Sequence, residues 1–403
     1  MSFEIEFDYR FDEANFFTPE RRAILEQAGD IWSSYIQDDF SPINSGETLP
    51  LNINNAQQEI ILEEPLDDLL IFVTYSDLSP NENFLAQGSF AANFIVGSDR
   101  QERIQGSDFE PWLGKIEFNQ AAGDKLFFDP TPETSNDIPV NQQDFLSLAL
   151  HEIGHVLGIG TSGAFSDQVD NGQFTGELSV QLNQGNPIPL DEEAGHVAEG
   201  FTLDPESDAL LDQLFSTGER NLPTDLDLAV LADIGYEILA DVTPVYRLFQ
   251  FERGFHFYTT NDDELENIVE LSNNGELQYQ YENIAYNVLA QDRDSLTGAK
   301  IDGALPVFRF FNTDTGAHLY TMDQNERDFI SANLNNYNFE GEAYYAFATE
   351  PEAIATVPLY RMLDTQTGSH LFTRDRDEFD TINATLPQFQ PEGDNGVTFY
   401  VLG

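Results

Sequence analysis

The residues best placed to do chemistry stand close together: His151, Glu152 and His155, within HEIGHVLGIG (residues 151–160). A four-residue spacing puts both imidazoles on one face of a helix, where they can share one ion. Glu152, next to the first histidine, is placed to hold and deprotonate a water molecule. The ion that suits such ligands is Zn2+. In catalytic sites it takes three protein ligands, keeps a fourth position for water and lowers that water's pKa to about 7. The expected reaction is peptide hydrolysis, with hydroxide attacking a polarised carbonyl and Glu152 ferrying the proton to the leaving amine. A plainer reading is a buried helix whose histidines are merely hydrogen-bonded. The rarity of this spacing in a chain with 6 histidines favours the metal.

The element that carries these residues is DFLSLALHEIGHVLG. Leu146, Leu150, Ile153 and Leu157 form one helical stripe, and Phe145, Ala149 and Val156 cover most of another. A helix apolar nearly all round is expected to be buried. Upstream, FTPERRAILEQAGDIWSSYI predicts a helix with Thr18 as N-cap and Pro19 at its first position. Its residues Ile24, Ala28, Ile31, Trp32 and Tyr35 recur at helical spacing. Strands are predicted at Ile60 to Leu62 and Leu69 to Tyr75, and a half-exposed one at Lys115 to Asn119. Residues 1–241 therefore read as an α+β domain.

HEIGHVLGIGT resembles the metzincin zinc-peptidase signature HExxHxxGxxH, with Gly158 at the turn position. The resemblance implies a metzincin-like fold over about residues 15 to 240, with a twisted sheet, a backing helix and an active-site helix. It also implies a third histidine at 161, where this chain has Thr161, a poor zinc ligand. The other histidine of this half is His196, in DEEAGHVAEGF, and the third ligand is assigned to it. The competing carboxylates are Asp167, Glu192 and Glu193. The stretch between, rich in Gly, Asn and Gln, reads as an inserted surface loop, similar to the arrangement in leishmanolysin-like metzincins. Beyond His196, the resemblance implies a methionine turn under the metal and a helix ending in an Asp-Ile-Gly-aromatic run. The helix is expected over Leu226 to Tyr236, and Leu211 stands where the methionine would. In such a fold a strand bordering the cleft binds substrate in extended form, and Trp112 to Asn119 is the candidate. The partner implied is a protein or peptide substrate. The runner-up reading is a metal-binding adhesion protein that has lost catalysis.

The bulk composition limits the alternatives. Of 403 residues, 17 are basic and 72 acidic, a net charge of −55. Such a surface repels phosphate backbones and anionic lipid, which argues against nucleic-acid or membrane-surface binding. It suits a solvated protein in a salty or extracellular medium, or one that collects divalent cations, Ca2+ in a structural role among them. The absence of cysteine excludes disulfides, thiolate ligands and cysteine nucleophiles. No apolar run is long enough to span a bilayer. The N-terminus shows no secretory signal. Export by another route is the expectation, and a cytoplasmic location is the alternative.

Residues 242–403 contain a threefold internal repeat, about 244–304, 305–356 and 357–403. PVYRLFQFERGFHFYTTNDDE, PVFRFFNTDTGAHLYTMDQNE and PLYRMLDTQTGSHLFTRDRDE align, so Arg247, Arg309 and Arg361 each precede a histidine (His256, His318, His370) by nine. Glu264, Glu326 and Glu378 follow, each three residues after an Asx N-cap, and Glu282, Glu340 and Glu392 recur before aromatic strands. Each unit reads as strand, Gly-containing turn, strand, helix, strand, with Arg and His tying strands together inside it. One unit is too small to bury its face, so three are expected to close into a pseudo-threefold α+β domain. The segments resemble a bacterial repeat domain of unknown function appended to extracellular hydrolases, which implies a module for targeting or binding.

Overall fold

A computed structural model describes residues 3–81, 83–91, 99–131, 134–203, 209–212 and 217–403. Helices and strands are mixed throughout, in an α+β architecture. The chain divides into two compact units, Met1–Ala240 and Asp241–Gly403.

The first unit is built on a sheet in the order β1-β4-β6-β5, formed by β1 (Ile5–Asp8), β4 (Leu69–Ser76), β6 (Leu113–Asn119) and β5 (Ala86–Phe90). β1, β4 and β6 run parallel, and β5 is antiparallel at the edge. Between β1 and β4 come α1 (Pro19–Tyr35) and the hairpin of β2 (Thr48–Ile53) with β3 (Ala56–Ile61). The helix α2 (Asp99–Gln105) lies between β5 and β6 in sequence. α1 follows Thr18 and has Pro19 in its first turn; Leu25, Ala28 and Trp32 are fully buried.

β6 departs from the half-exposed strand predicted at 115–119. It is flanked on both sides by β4 and β5, and Glu117 is buried. The physical reason is compensation: Lys115 Nζ (2.5 Å), Gln87 Nε2 (2.7 Å) and the Asn54 N–H (2.9 Å) all donate to the Glu117 carboxylate. A buried charge that is ion-paired and hydrogen-bonded can be tolerated. Asn54 is the tip of the β2–β3 hairpin, so that hairpin covers this face of the sheet.

α3 (Phe145–Val156) is buried at every position. Asp144 caps it by accepting from the Ser147 N–H (3.0 Å) and is itself held by Arg220, which also reaches Asp129 (2.6 Å). From α1, the Trp32 Nε1–H donates to the Leu150 carbonyl (2.9 Å), locking the two helices in register.

The stretch after α3, expected to be a surface loop, is folded. It holds the helices Gly163–Ser166 and Glu177–Leu182 and a small sheet of Val169–Asp170, Gln173–Phe174 and Ile188–Pro189. Phe165, Phe174 and Ile188 are buried, and the Phe165 and Phe174 rings stack at 4.7 Å. The Asp225–Asp233 helix reaches this insertion through Asp233, which accepts from the N–H groups of Leu178 and Ser179. A Thr224/Asp227 capping box starts that helix, expected over Leu226 to Tyr236.

The second unit repeats one pattern three times. Its strands, helices and closing strands are Val242–Gln250, Phe255–Thr259, Asp262–Asn273 and Tyr279–Leu289; Ala304–Asn312, His318–Thr321, Gln324–Asn333 and Tyr337–Phe347; Thr356–Asp364, Ser369–Thr373, Arg376–Thr385 and Phe389–Leu402. The three closing strands pair with one another, Leu289 with Tyr345, Asn287 with Leu402 and Phe347 with Tyr400, so the units meet in a triangle. At its centre Val245, Val307, Leu359, Tyr286, Tyr344 and Phe399 form one buried cluster.

Asn261, Asp323 and Asp375 cap their helices as predicted. The glutamates that follow do something else. Glu264 takes Arg309 of the second repeat (2.9 Å), Glu326 takes Arg361 of the third (3.1 Å), and Glu378 takes Arg247 of the first (3.0 Å). Each arginine also pairs within its own repeat, with Glu282, Glu340 or Glu392. The arginines thus join neighbouring repeats into a closed ring, not only the strands inside each one.

Candidate metal centre

The helix spacing places His151 and His155 as the sequence requires, and the fold brings His196 to meet them. His155 Nε2 stands 3.1 Å from His151 Nε2 and 3.1 Å from His196 Nε2. Each ring's other nitrogen is engaged. His151 Nδ1 meets the Leu210 carbonyl (2.9 Å), His155 Nδ1 the Ile159 carbonyl (2.9 Å), and His196 Nδ1 the Asp191 carboxylate (3.2 Å). Carbonyls and carboxylates only accept, so each Nδ1 carries the hydrogen and each Nε2 is the acceptor nitrogen of its ring. Three acceptor nitrogens gathered this closely suit a shared cation. Zn–N bonds of about 2.05 Å at tetrahedral angles put ligand nitrogens about 3.3 Å apart, close to the separations here. Burial, reinforced by the neighbouring imidazoles, drives the His151 pKa far down and the His155 pKa to about 4, so both rings are held neutral, the form that binds metal. Among the described residues this is the one group of three or more His, Asp or Glu side chains able to hold a metal ion.

Of the competing carboxylates, Asp167, Glu192 and Glu193 are all outside this group, and all three are exposed. No converging acidic cluster for Ca2+ is found among the described residues. Thr161, at the position of the expected third histidine, closes the helix end instead, its hydroxyl donating to the His155 carbonyl (2.6 Å).

Glu152 lies beside the triad, 4% exposed. Its carboxylate accepts from the Gly88 N–H, and burial raises its pKa to about 8. Oε2 has no hydrogen-bond partner. A buried carboxylate oxygen without a donor is costly, and in native structures such exceptions call for an explanation.

Leu211 is buried below α3. A Cβ on Gly154 would stand 3.3 Å from both Leu211 methyls, so the leucine fills the floor where the methionine was expected. Asp227 positions this segment by accepting from the Leu210 (3.1 Å) and Leu211 (3.3 Å) N–H groups, and the Leu210 carbonyl in turn meets His151. Of the run expected after His196, residues 204–208 and 213–216 lie outside the described residues.

The candidate substrate strand is corrected. Trp112 to Asn119 has both main-chain edges taken by β4 and β5, so no peptide can pair with it. The strand at the sheet's edge, beside Glu152, is β5. Sequence reasoning also passed over Asp191, Asp227 and Gly88. The only signal for Asp191 was its place five residues before His196.

In the second unit, His256, His318 and His370 each pair with the glutamate of their own repeat, at 3.3, 3.3 and 3.1 Å. Residues 244–402 match a protein family described as a domain of unknown function (DUF5648). No curated protein matches the chain. No helix among the described residues is long and apolar enough to cross a membrane.

Proposed function

We propose that the first unit is a zinc-dependent endopeptidase of the metzincin type, acting outside the cell on protein or peptide substrates, and that the repeat unit targets or binds. One observation carries this reading. His155 Nε2 stands 3.1 Å from both His151 Nε2 and His196 Nε2, and the next residue of α3 after His151, Glu152, is buried with one carboxylate oxygen lacking a partner. His151, His155 and His196 would hold the ion. When bound, zinc supplies Lewis acidity toward a peptide carbonyl and makes water a nucleophile near neutral pH.

The remaining roles belong to the chain itself. Glu152 is the general base: its free Oε2 takes the proton from water and returns it to the leaving amine, while the Gly88 N–H fixes the other end of the carboxylate. Burial alone holds this carboxyl too high to be ionised at neutral pH; a cation held by the three rings would lower it again. β5, antiparallel and at the edge, offers its outer side to an extended peptide. A metal-binding adhesion module without catalysis would need the same three ligands, but it gives Glu152 no reason to stay buried and unpaired.

The test is metal analysis of the purified chain together with digestion of an unfolded substrate such as casein. One zinc per chain and chelator-sensitive cleavage are expected. A chain that holds no zinc, or holds one and never cleaves, overturns the peptidase.

A further inference from the structure

We propose that Asp191 is the positioning residue for the third metal ligand, holding the His196 imidazole so that Nε2 faces His151 and His155. This rests on the metal reading of the triad. His151 and His155 are aimed by helix spacing, and their Nδ1 atoms meet main-chain carbonyls. His196 has no helix behind it. It comes from an irregular loop, and its side chain is 27% exposed against 6% for Asp191.

Asp191 closes this loop in two ways. Its N–H donates to the His196 carbonyl (3.0 Å), and its carbonyl accepts from the Ala194 N–H (3.1 Å). Its Oδ1 accepts from the Gly195 N–H (2.9 Å), while Oδ2 meets His196 Nδ1 (3.2 Å). The loop is seated between a bridge from Leu190 to Val197 and a close main-chain approach at Gly160. A Cβ at that position, which has φ +70°, would fall 2.0 Å from the Gly195 carbonyl oxygen. With the base of the loop fixed, the Asp191 carboxylate decides the ring's tautomer and rotation. A carboxylate can only accept, so Nδ1 must carry the hydrogen and Nε2 must be the ligand atom. Outer partners of this kind orient ligating histidines and raise their basicity, and their removal costs about 10–100-fold in metal affinity. Glu192 and Glu193 share the loop but are exposed, and they provide the control.

The experiment uses the full chain. Zinc affinity is measured by competition with a chromophoric chelator, the ligand set by the visible spectrum of the Co2+-loaded protein, and the fold by thermal unfolding without metal. Asp191→Asn keeps the side chain's size and an acceptor oxygen but removes the charge; Asp191→Ala removes the partner altogether. Both are expected to lose zinc affinity about 10–100-fold and to shift the Co2+ spectrum. The metal-free Asp191→Asn protein unfolds near the wild-type temperature, and Glu192→Gln changes nothing. Wild-type affinity and spectrum in both Asp191 variants would overturn the role while leaving the metal site intact. Affinity lost only together with the metal-free fold would also overturn it, making Asp191 a residue of loop folding alone. A wild-type chain that binds no zinc removes the metal reading, and this inference with it.

Discussion

Histidine and glutamate occur in both units of this chain and are used in opposite ways. In the first, three imidazoles gather their Nε2 atoms together, and a buried glutamate keeps an oxygen without a donor. In the second, every repeat histidine faces a glutamate, and every repeat arginine bridges two. Repetition and residue type would have marked the second unit as the richer site, with its threefold Arg, His and Glu. What separates the units is the partner each histidine faces: glutamate in the repeats, other histidines in the first unit. Histidines tied to glutamates describe an architecture, whereas three imidazoles gathered on one another are the arrangement we propose holds a metal.

The largest expected effect breaks that contrast at its sharpest point. Glu152→Ala should lower peptide hydrolysis by about 10²–10⁴-fold, as removal of a general base does, while zinc content stays at one per chain. Casein digestion at the wild-type rate would mean that Glu152 is not the base. Next comes His196→Ala, which should weaken zinc binding severely by leaving two protein ligands where catalytic sites use three. The double change Glu192→Gln, Glu193→Gln should leave the affinity unchanged. Tight stoichiometric zinc in the His196 variant would send the search for a third ligand elsewhere.

How much of this could be read from the sequence follows the range of the interactions. The α3 helix and the placement of His151, Glu152 and His155 were legible because a 3.6-residue period is local. The repeat was legible because it resembles itself. Sheet order was not: the alternation at Lys115 to Asn119 looked half-exposed because nothing nearby announces Gln87 and Asn54 as partners for Glu117. Phe165, Phe174 and Ile188 form a core inside the insertion without any regular spacing, so polar neighbours disguised it as a loop. Glu192 and Glu193 drew attention as carboxylates near His196, while the one that reaches its ring is Asp191. The arginine ring joins Glu264 to Arg309 and Arg247 to Glu378 across repeats, a pairing visible only once the three units close.

That ring provides a smaller test. Arg309→Ala strips Glu264 and Glu340 of their shared partner, but these groups are partly exposed, with side chains 17%, 33% and 36% accessible. Solvent screening therefore limits the loss to about 1 kcal/mol, read as a lower denaturant midpoint. A double-mutant cycle with Glu264→Gln should return a coupling of about 0.5 kcal/mol or more. A coupling of zero would mean that the ring contributes geometry and no stability. Replacing His256, His318 and His370 together by Asn should leave zinc at one per chain. Any drop in zinc would erase the division of labour between the two sets of histidines.

The smallest expected effect sets the two units against each other by pH. In the first, burial raises Asp38 to about 7 and Asp68 to about 6, even though both accept backbone N–H groups. In the second, burial also pushes Glu264 up, but hydrogen bonds from Arg309 and Thr259 outweigh it and hold the carboxyl below its usual range. Glu392 is likewise lowered, chiefly by its hydrogen bond to His370, whereas Glu340 departs from the pattern and is raised by burial. The signs follow from linkage. Asp38 binds its proton more tightly in the folded state, so ionising it removes stability as pH climbs from about 4 to about 7. Glu264 binds its proton more weakly in the folded state, so its contribution is complete above its ordinary value and is lost as pH falls below it. Asp38→Asn should therefore raise the unfolding temperature at pH 8 by about 2–4 °C and leave it nearly unchanged at pH 4. Glu264→Gln should lower it by about 2 °C at pH 8, with the difference shrinking toward pH 3. Thermal scans of both variants at these pH values decide the matter. If the two respond to pH with the same sign, Asp38 is stabilised as a carboxylate in the fold after all, and the contrast between the units narrows to the histidines alone.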